Sequence, residues 1–289
     1  MQKIMLTGAT GLLGRTLYKT LVKDFEVVGT GFNRATPPLY QLDLGNQQAV
    51  IDFLEQHQPD ALIHAAAERK PDVCENEPEQ TIALNVAASE FLAKQCAQRD
   101  IALIFISTDY VFDGKTPPYL ESAQANPLNL YGQSKQRAEQ AVLAHSTRHS
   151  IIRVPVLYGD VSELAESAVS VIATQISATQ TTAHDNWAVR YPTHVEDIAF
   201  TLRDLLKRPE NLGGIFHISD NQAMSKYDMA CIMADILGYP QSLLEPLDEP
   251  SQSAARPHDC ALADSRLKQL GIAHGREFKE ALKSILLTA

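Results

Sequence analysis

The sequence predicts an α/β fold: a doubly wound parallel sheet with a smaller, discontinuous C-terminal lobe. Three observations carry this. Short apolar runs alternate with amphipathic stretches through the first half, as βαβ units require. A glycine-rich turn, Thr7-Gly-Ala-Thr-Gly-Leu-Leu-Gly14, separates the first apolar run from the first amphipathic one. After Tyr158 the alternation breaks, which is where a second lobe begins.

Ile4–Thr7 is a short apolar run and reads as the first strand, with Leu12–Lys23 as the helix after it. Glu26–Gly31 is the next strand. Gln47–Gln56 reads as a helix with Asn46 as its N-cap. Ala61–Ala65 and Ala102–Ser107 are strands, with a helix over Gln80–Arg99 between them. Leu130–Ala144 is helical and precedes the strand Ile151–Pro155. Beyond it, Glu163–Ser177 and His194–Lys207 read as helices and Gly214–Ser219 as a late strand. Helices at Ser225–Leu237 and Glu277–Leu287 are separated by a Pro-rich connection, Glu245–Pro257. The expected division is 1–158 with 188–219 for the sheet domain, and 159–187 with 220–289 for the lobe.

Hydrophobic content of 45% with 21% charged residues suits a chain that buries a sizeable core. The net charge of −10 argues against nonspecific nucleic-acid binding, which rests on Lys and Arg neutralising phosphates. Cys74, Cys96, Cys231 and Cys260 are scattered, with neither disulfide-framework nor zinc-ligand spacing, and read as thiols in a reducing compartment. No metal site is expected. No run approaches the ~18 apolar residues of a membrane span. The chain enters a strand almost at once, leaving no room for a signal peptide. A soluble, cytoplasmic protein is expected.

Gly8, Gly11 and Gly14 follow a strand and open a helix, with Thr10, Leu12 and Leu13 completing the turn. Glycines there let backbone approach a pyrophosphate, which the helix N-terminus favours electrostatically. The unit is therefore Rossmann-type. The second strand leads into Gly29-Thr-Gly-Phe-Asn-Arg34, where no acid is present to hold a ribose 2′-OH. Arg34, beside Phe32, sits where a guanidinium grips a 2′-phosphate, favouring NADP(H) over NAD. The alternative is a solvated arginine in a Pro-rich loop. Ala65, Ala66 and Ala67 are small enough for a cofactor to lie against, and Pro155 at a strand exit joins the cofactor set.

Tyr131 and Lys135, four apart in Asn-Leu-Tyr-Gly-Gln-Ser-Lys, are the candidate reacting pair, with Thr108 upstream at a strand exit. Reducing a ketone needs a proton for the developing alkoxide, and a phenol with pKa near ~10 is poorly matched to neutral pH. Lowering it by roughly three units takes about 4 kcal/mol, the order one cation at ~4 Å supplies at an effective dielectric near 20. Lys135 lies one helical turn along, on the same face, and can also bond a nicotinamide ribose. Thr108 is placed to orient the substrate oxygen.

The turn's Gly-x-x-Gly-x-x-Gly spacing resembles the short-chain dehydrogenase/reductase superfamily and its extended branch. That resemblance implies a role for Asp43, with Leu44, at the adenine amino group, and for Asn85 as the superfamily's helix asparagine. Ser107-Thr-Asp-Tyr-Val-Phe-Asp-Gly114, with Pro118-Tyr119 and Asn126-Pro-Leu-Asn-Leu-Tyr-Gly-Gln-Ser-Lys135, closely resembles dTDP-4-dehydrorhamnose reductase. Thr108, Tyr131 and Lys135 fall on that family's catalytic threonine, tyrosine and lysine. Asp109 and Tyr110 then fall at the substrate. Sugar-nucleotide dehydratases of the superfamily read Thr-Asp-Glu, and Tyr110 stands at the Glu position. The implied chemistry is NADPH-dependent reduction of a 4-keto nucleotide sugar.

A second resemblance runs over nearly the whole chain, to the regulatory β subunit of methionine adenosyltransferase. It is carried by Gly31-Phe-Asn-Arg-Ala-Thr-Pro37, His64-Ala-Ala-Ala-Glu-Arg-Lys-Pro-Asp-Val73, Arg153-Val-Pro-Val-Leu-Tyr-Gly159, Glu166-Ser-Ala-Val169 and Arg190-Tyr-Pro-Thr-His-Val195. Lys226-Tyr-Asp-Met-Ala230 and Ala255-Arg-Pro257 extend it. It implies an NADP-binding partner of a methionine adenosyltransferase catalytic subunit. Two departures from the reductase pattern agree with it: Val156 replaces a pocket tryptophan, and Glu68-Arg69-Lys70 replaces an aromatic. Glu68 and Arg69 either grip a diphosphate or form an exposed interface edge. Arg190 and His194 line the substrate cleft, or His194 is a helix-start residue beside Glu196. A homodimer stays open.

Overall fold

The computed structural model describes residues 2–250 and 254–288. Its central sheet contains β1 (Lys3–Thr7), β2 (Glu26–Gly31), β3 (Tyr40–Gln41), β4 (Ala61–His64), β5 (Ala102–Thr108), β6 (Ser150–Val154) and β7 (Gly214–His217). The order across the sheet is β7-β6-β5-β4-β1-β2-β3, and every pairing is parallel. The chain starts in the middle, winds out to β3, and returns to β4 on the other side of β1. That reversal leaves a crevice at the carboxyl ends of β1 and β4, where ligands of such sheets bind.

Alternating side chains sort the strands onto two faces. Ile4 and Leu6 of β1 join α1 (Leu12–Leu21) in one core cluster, while Met5 joins α2 (Gln47–His57) and α3 (Ala88–Gln98) in the other. The helix α4 (Leu130–His145) covers the second face through Ala138 and Val142, and α5 (Val195–Leu206) covers the first through Ile198 and Leu202. Covered on both faces, these strands read as near-continuous apolar runs. Asn46 caps α2 by accepting from the Ala49 amide at 3.1 Å, and Asn129 caps α4 from Gly132 at 2.8 Å.

The lobe packs α6 (Lys226–Leu237) and α7 (Phe278–Thr288) around Tyr158, Ile172, Met229 and Phe278. Leu267 and Ile272 instead join the main core. Three expectations are corrected. Glu163–Ser177 is not one helix but two short 3-10 turns, Leu164–Glu166 and Ser170–Thr174. The Ser167 hydroxyl accepts from the Val169 and Ser170 amides at 3.0 and 3.3 Å, offering the backbone an alternative to the helix. The Pro-rich connection is in part a strand, Leu244–Leu247, paired with Thr182–Asp185. Pro246 fits there because a two-stranded edge leaves its missing N–H unneeded. Residues 251–253 of that connection lie outside the described residues. The expected helix over Gln80–Arg99 is interrupted by a π-helical stretch, Ala83–Ala87, ahead of α3.

Gly8 has a φ of +71°, and a Cβ on Gly14 would lie 2.0 Å from the Gly8 carbonyl oxygen. A Cβ on Gly11 would meet nothing nearer than that oxygen at 3.5 Å. Gly14→Ala is therefore expected to lower the melting temperature by at least about 6 °C, corresponding to a few kcal/mol of forced displacement. Gly11→Ala should stay within about 2 °C of wild type. Calorimetry on the two variants checks this, and equal losses would refute the packing assignment.

Candidate active site

The crevice is built where β1 runs into the glycine turn. Gly8 lies against β4's exit, where a Cβ would come within 2.7 Å of the Ala66 nitrogen. Gly11 is the N-cap of α1 and brings no side chain, so the helix's first amides face the crevice without an internal acceptor. Ala65, Ala66 and Ala67 are partly exposed beside it. These features fit a dinucleotide pyrophosphate.

At the β2 side, Thr10 meets Gly31, where a Cβ would lie 2.6 Å from the Thr10 methyl. Arg15 donates to the Thr10 carbonyl at 3.1 Å and to both carboxylate oxygens of Glu166 at 2.9 and 2.7 Å. Arg34 lies 3.8 Å from the same carboxylate, and Arg69 donates to the Glu166 backbone carbonyl at 2.5 Å. The Arg15 hydrogen bonds hold the Glu166 carboxyl below its ordinary range. Phe32 is largely exposed at this end. Asp43 accepts from the Gly45 amide at 2.8 Å, and Leu44 is buried in the core. Pro155 is buried at the exit of β6.

Asn85, in the π-helical stretch, clamps the loop after β4. Its side chain accepts from the Glu68 amide and donates to the Glu68 carbonyl, each at 2.9 Å, and donates to Ser134 at 3.1 Å. Ser134 is on α4 and donates to the Tyr131 carbonyl at 2.7 Å. The asparagine thus ties the alanine loop to the helix that carries Tyr131 and Lys135. The Glu68 carboxylate accepts from the Arg69 and Lys70 amides at 2.9 and 2.8 Å.

Thr108 ends β5, and its hydroxyl is near enough to the Tyr131 phenol to act on its ionisation. It also donates to Asp109 at 3.0 Å and accepts from the Tyr110 amide at 3.2 Å. Desolvation raises the phenol above its usual range, opposed by Thr108. Lys135 is buried, donates to the Ile106 carbonyl at 2.5 Å, and lies 3.9 Å from the Phe105 ring centroid. Burial pushes its pKa down to about 7, with Glu139 opposing. The spacing leads one to expect this ammonium to act directly on the phenol; here its hydrogen bond goes to β5.

Tyr110 packs edge-on to Tyr131, with ring centroids 6.0 Å apart. The Arg190 guanidinium lies 5.8 Å from the Tyr110 centroid. Arg190 is buried, donates through Nη1 to Val189 and Pro257 carbonyls, and leaves Nη2 without a partner among the described residues. Burial raises the Asp109 carboxyl to about 6, against the pull of Arg190. Val156 packs on the lobe core. His194 caps α5, accepting from the Glu196 amide at 3.2 Å, so its helix-start reading describes its place.

Sequence reasoning missed Arg15, Glu166 and the buried pair Glu139–Arg153. The pair lies at 2.7 Å, joined by a 2.5 Å bond from Ser107 to Glu139. A concavity of about 620 Å³ lined by Gln2, Glu55, Arg99 and Arg148 holds none of the candidate residues. Among the described residues, no helix is long and apolar enough to cross a membrane, and no group of three or more His, Cys, Asp or Glu could hold a metal ion.

Fold and crevice together define a Rossmann-type α/β protein. The chain belongs to the RmlD substrate binding domain family, whose model matches residues 1–289. Methionine adenosyltransferase 2 subunit beta of Bos taurus is 43% identical over 291 residues, covering 99% of this chain and 87% of that protein. The probable low-salt glycan biosynthesis reductase Agl14 of Haloferax volcanii is 31% identical, covering 91% and 90%. A dTDP-4-dehydrorhamnose reductase structure from Clostridium acetobutylicum superposes with a TM-score of 0.88 at 29% identity, covering 100% of both chains.

The Lys135 environment sets a sign. Its pKa falls from 10.5 to about 7 on folding, so between those values the unfolded chain holds a proton the folded one has released. Stability is expected to rise with pH across that window, by about 1 kcal/mol per unit, and to have lost this contribution below it. Lys135→Met should flatten the slope and stabilise the protein at neutral pH. Urea unfolding of both proteins across the window measures it, and equal slopes would contradict the assignment.

Proposed function

We propose that this chain is an NADPH-dependent reductase of a 4-keto nucleotide sugar, with Tyr131 as proton donor. The observation that carries this is the meeting of Thr108, Tyr110 and Tyr131 at the end of β5, with Lys135 buried one turn along α4. The glycine turn and the small residues after β4 support a dinucleotide in the adjoining crevice. Arg15 and Arg34, already gathered on a carboxylate, support a 2′-phosphate on it. When bound, the cofactor supplies hydride.

Tyr131 then delivers its proton to the developing alkoxide, and Thr108 holds the substrate oxygen in line. Lys135 is poised close to neutrality and gives the phenol a nearby positive charge when protonated. The free Nη2 of Arg190 is a buried donor suited to an anionic sugar nucleotide. Tyr110, where elimination would call for a carboxylate, favours reduction over dehydration.

A second reading is an NADP-binding accessory subunit of a methionine adenosyltransferase. It is favoured by the 43% identity to proteins named as that enzyme's subunit beta, and by the exposed Arg69-Lys70 edge. The test mixes the protein with NADPH and dTDP-4-dehydrorhamnose and follows loss of NADPH absorbance. Turnover that falls by at least ~10²-fold in Tyr131→Phe supports the reductase. No turnover, with a stable complex formed on adding a methionine adenosyltransferase catalytic subunit, overturns it in favour of the second reading.

A further inference from the structure

Among the described residues, the Glu166 carboxylate is the one acidic side chain placed against both Arg15 and Arg34. Arg15 grips it through two charge-assisted bonds at 2.9 and 2.7 Å, and Arg34 adds a contact at 3.8 Å. The Ser162 amide donates to it at 2.9 Å, and the Arg69 guanidinium holds its own carbonyl at 2.5 Å. The carboxylate's side chain is only 17% exposed, whereas that of Arg34 is 67% exposed. Arg15 is anchored to Thr10, and Thr10 touches Gly31 at the end of β2. The end of the second strand is where an arginine meets a ribose 2′-phosphate in this class of sheet.

We infer that Glu166 is an internal stand-in for the cofactor's 2′-phosphate, so that phosphate and carboxylate compete for Arg15 and Arg34. The inference rests on the NADP reading above and adds a specificity-setting residue to it. Two consequences follow from the geometry. A 2′-phosphate must displace an anion already paired, so the preference for a phosphorylated ribose is smaller than two free arginines would give. The displaced residue belongs to the turn Leu164–Glu166, and the same turn is held by Arg69 beside the Asn85 clamp. Occupation of the 2′-phosphate position therefore loosens the lobe's segment 160–167 from the crevice.

The experiment measures binding of 2′,5′-ADP and of 5′-AMP by calorimetry to the full chain, to Glu166→Gln and to Glu166→Ala. The ratio of the two affinities isolates the 2′-phosphate, because both ligands share the 5′-phosphate and adenosine. Thermal melts confirm that the variants are folded. Wild type is expected to prefer 2′,5′-ADP, and both variants to enlarge that preference about tenfold, equivalent to ~1.4 kcal/mol. Wild-type preference with an unchanged or reduced ratio in the variants overturns the inference and leaves the NADP reading standing; the carboxylate would then only be positioning the arginines. Equal affinities for the two ligands in wild type and in both variants would sink the NADP reading and the inference together.

Discussion

Everything at the reacting end depends on a buried ion pair between α4 and the sheet. Glu139 and Arg153 meet at 2.7 Å with side chains 5% and 4% exposed, and Ser107 donates to the same carboxylate. Arg153 is on β6, Ser107 on β5 and Glu139 on α4, so one cluster fixes the helix against two strands. Desolvating both charges takes back much of the attraction, so the pair contributes little net stability as a whole. Breaking it is another matter: one uncompensated buried charge costs about 3–5 kcal/mol. The pair therefore sets where α4 sits more than how stable the protein is. Lys135 is one turn before Glu139, and Tyr131 one turn before Lys135.

A second constraint sets the other wall of the site. The glycine turn packs backbone on backbone against Ala65 and Ala66, and Asn85 clamps Glu68 to α4 through Ser134. The π-helical stretch carries Asn85 in the interrupted run ahead of α3, a use such bulges commonly have near sites. The crevice for a dinucleotide and the helix bearing the reacting pair are thus joined by hydrogen bonds, not merely adjacent. Against this rigid frame stands a locally unfavourable feature, the buried Lys135 ammonium. Its burial works against the charged form, and a charge kept in such a place is characteristic of sites that use it.

The strands were legible because strands covered on both faces must be apolar at every position, and few other elements produce runs so short and so uniform. Asn46 was legible as a cap for the same local reason: one side chain and one amide three residues on. The Tyr131–Lys135 spacing was legible because helix geometry alone places them together. Glu166 was not, because its partner Arg15 is 151 residues away and their meeting depends on how the lobe folds back. Glu139 and Arg153 lie on separate elements, and only the packing of α4 on β6 makes them a core pair. Glu163–Ser177 misled because its apolar spacing suits a helix, while the Ser167 hydroxyl ties the backbone into a turn. Pro246 concealed the strand Leu244–Leu247 by breaking the usual strand composition.

The central claim is that Tyr131 becomes an acid matched to neutral pH only through the charges gathered around it. Carbon-13 NMR of tyrosine labelled at the phenol carbon follows its ionisation directly, with Tyr131→Phe assigning the signal. Without cofactor, Tyr131 is expected to stay protonated beyond the ordinary value of about 10. With saturating NADP⁺ it should titrate below about 8, and this drop should vanish in Lys135→Met. A phenol that stays protonated past about 10 in both states would contradict its assignment as the proton donor.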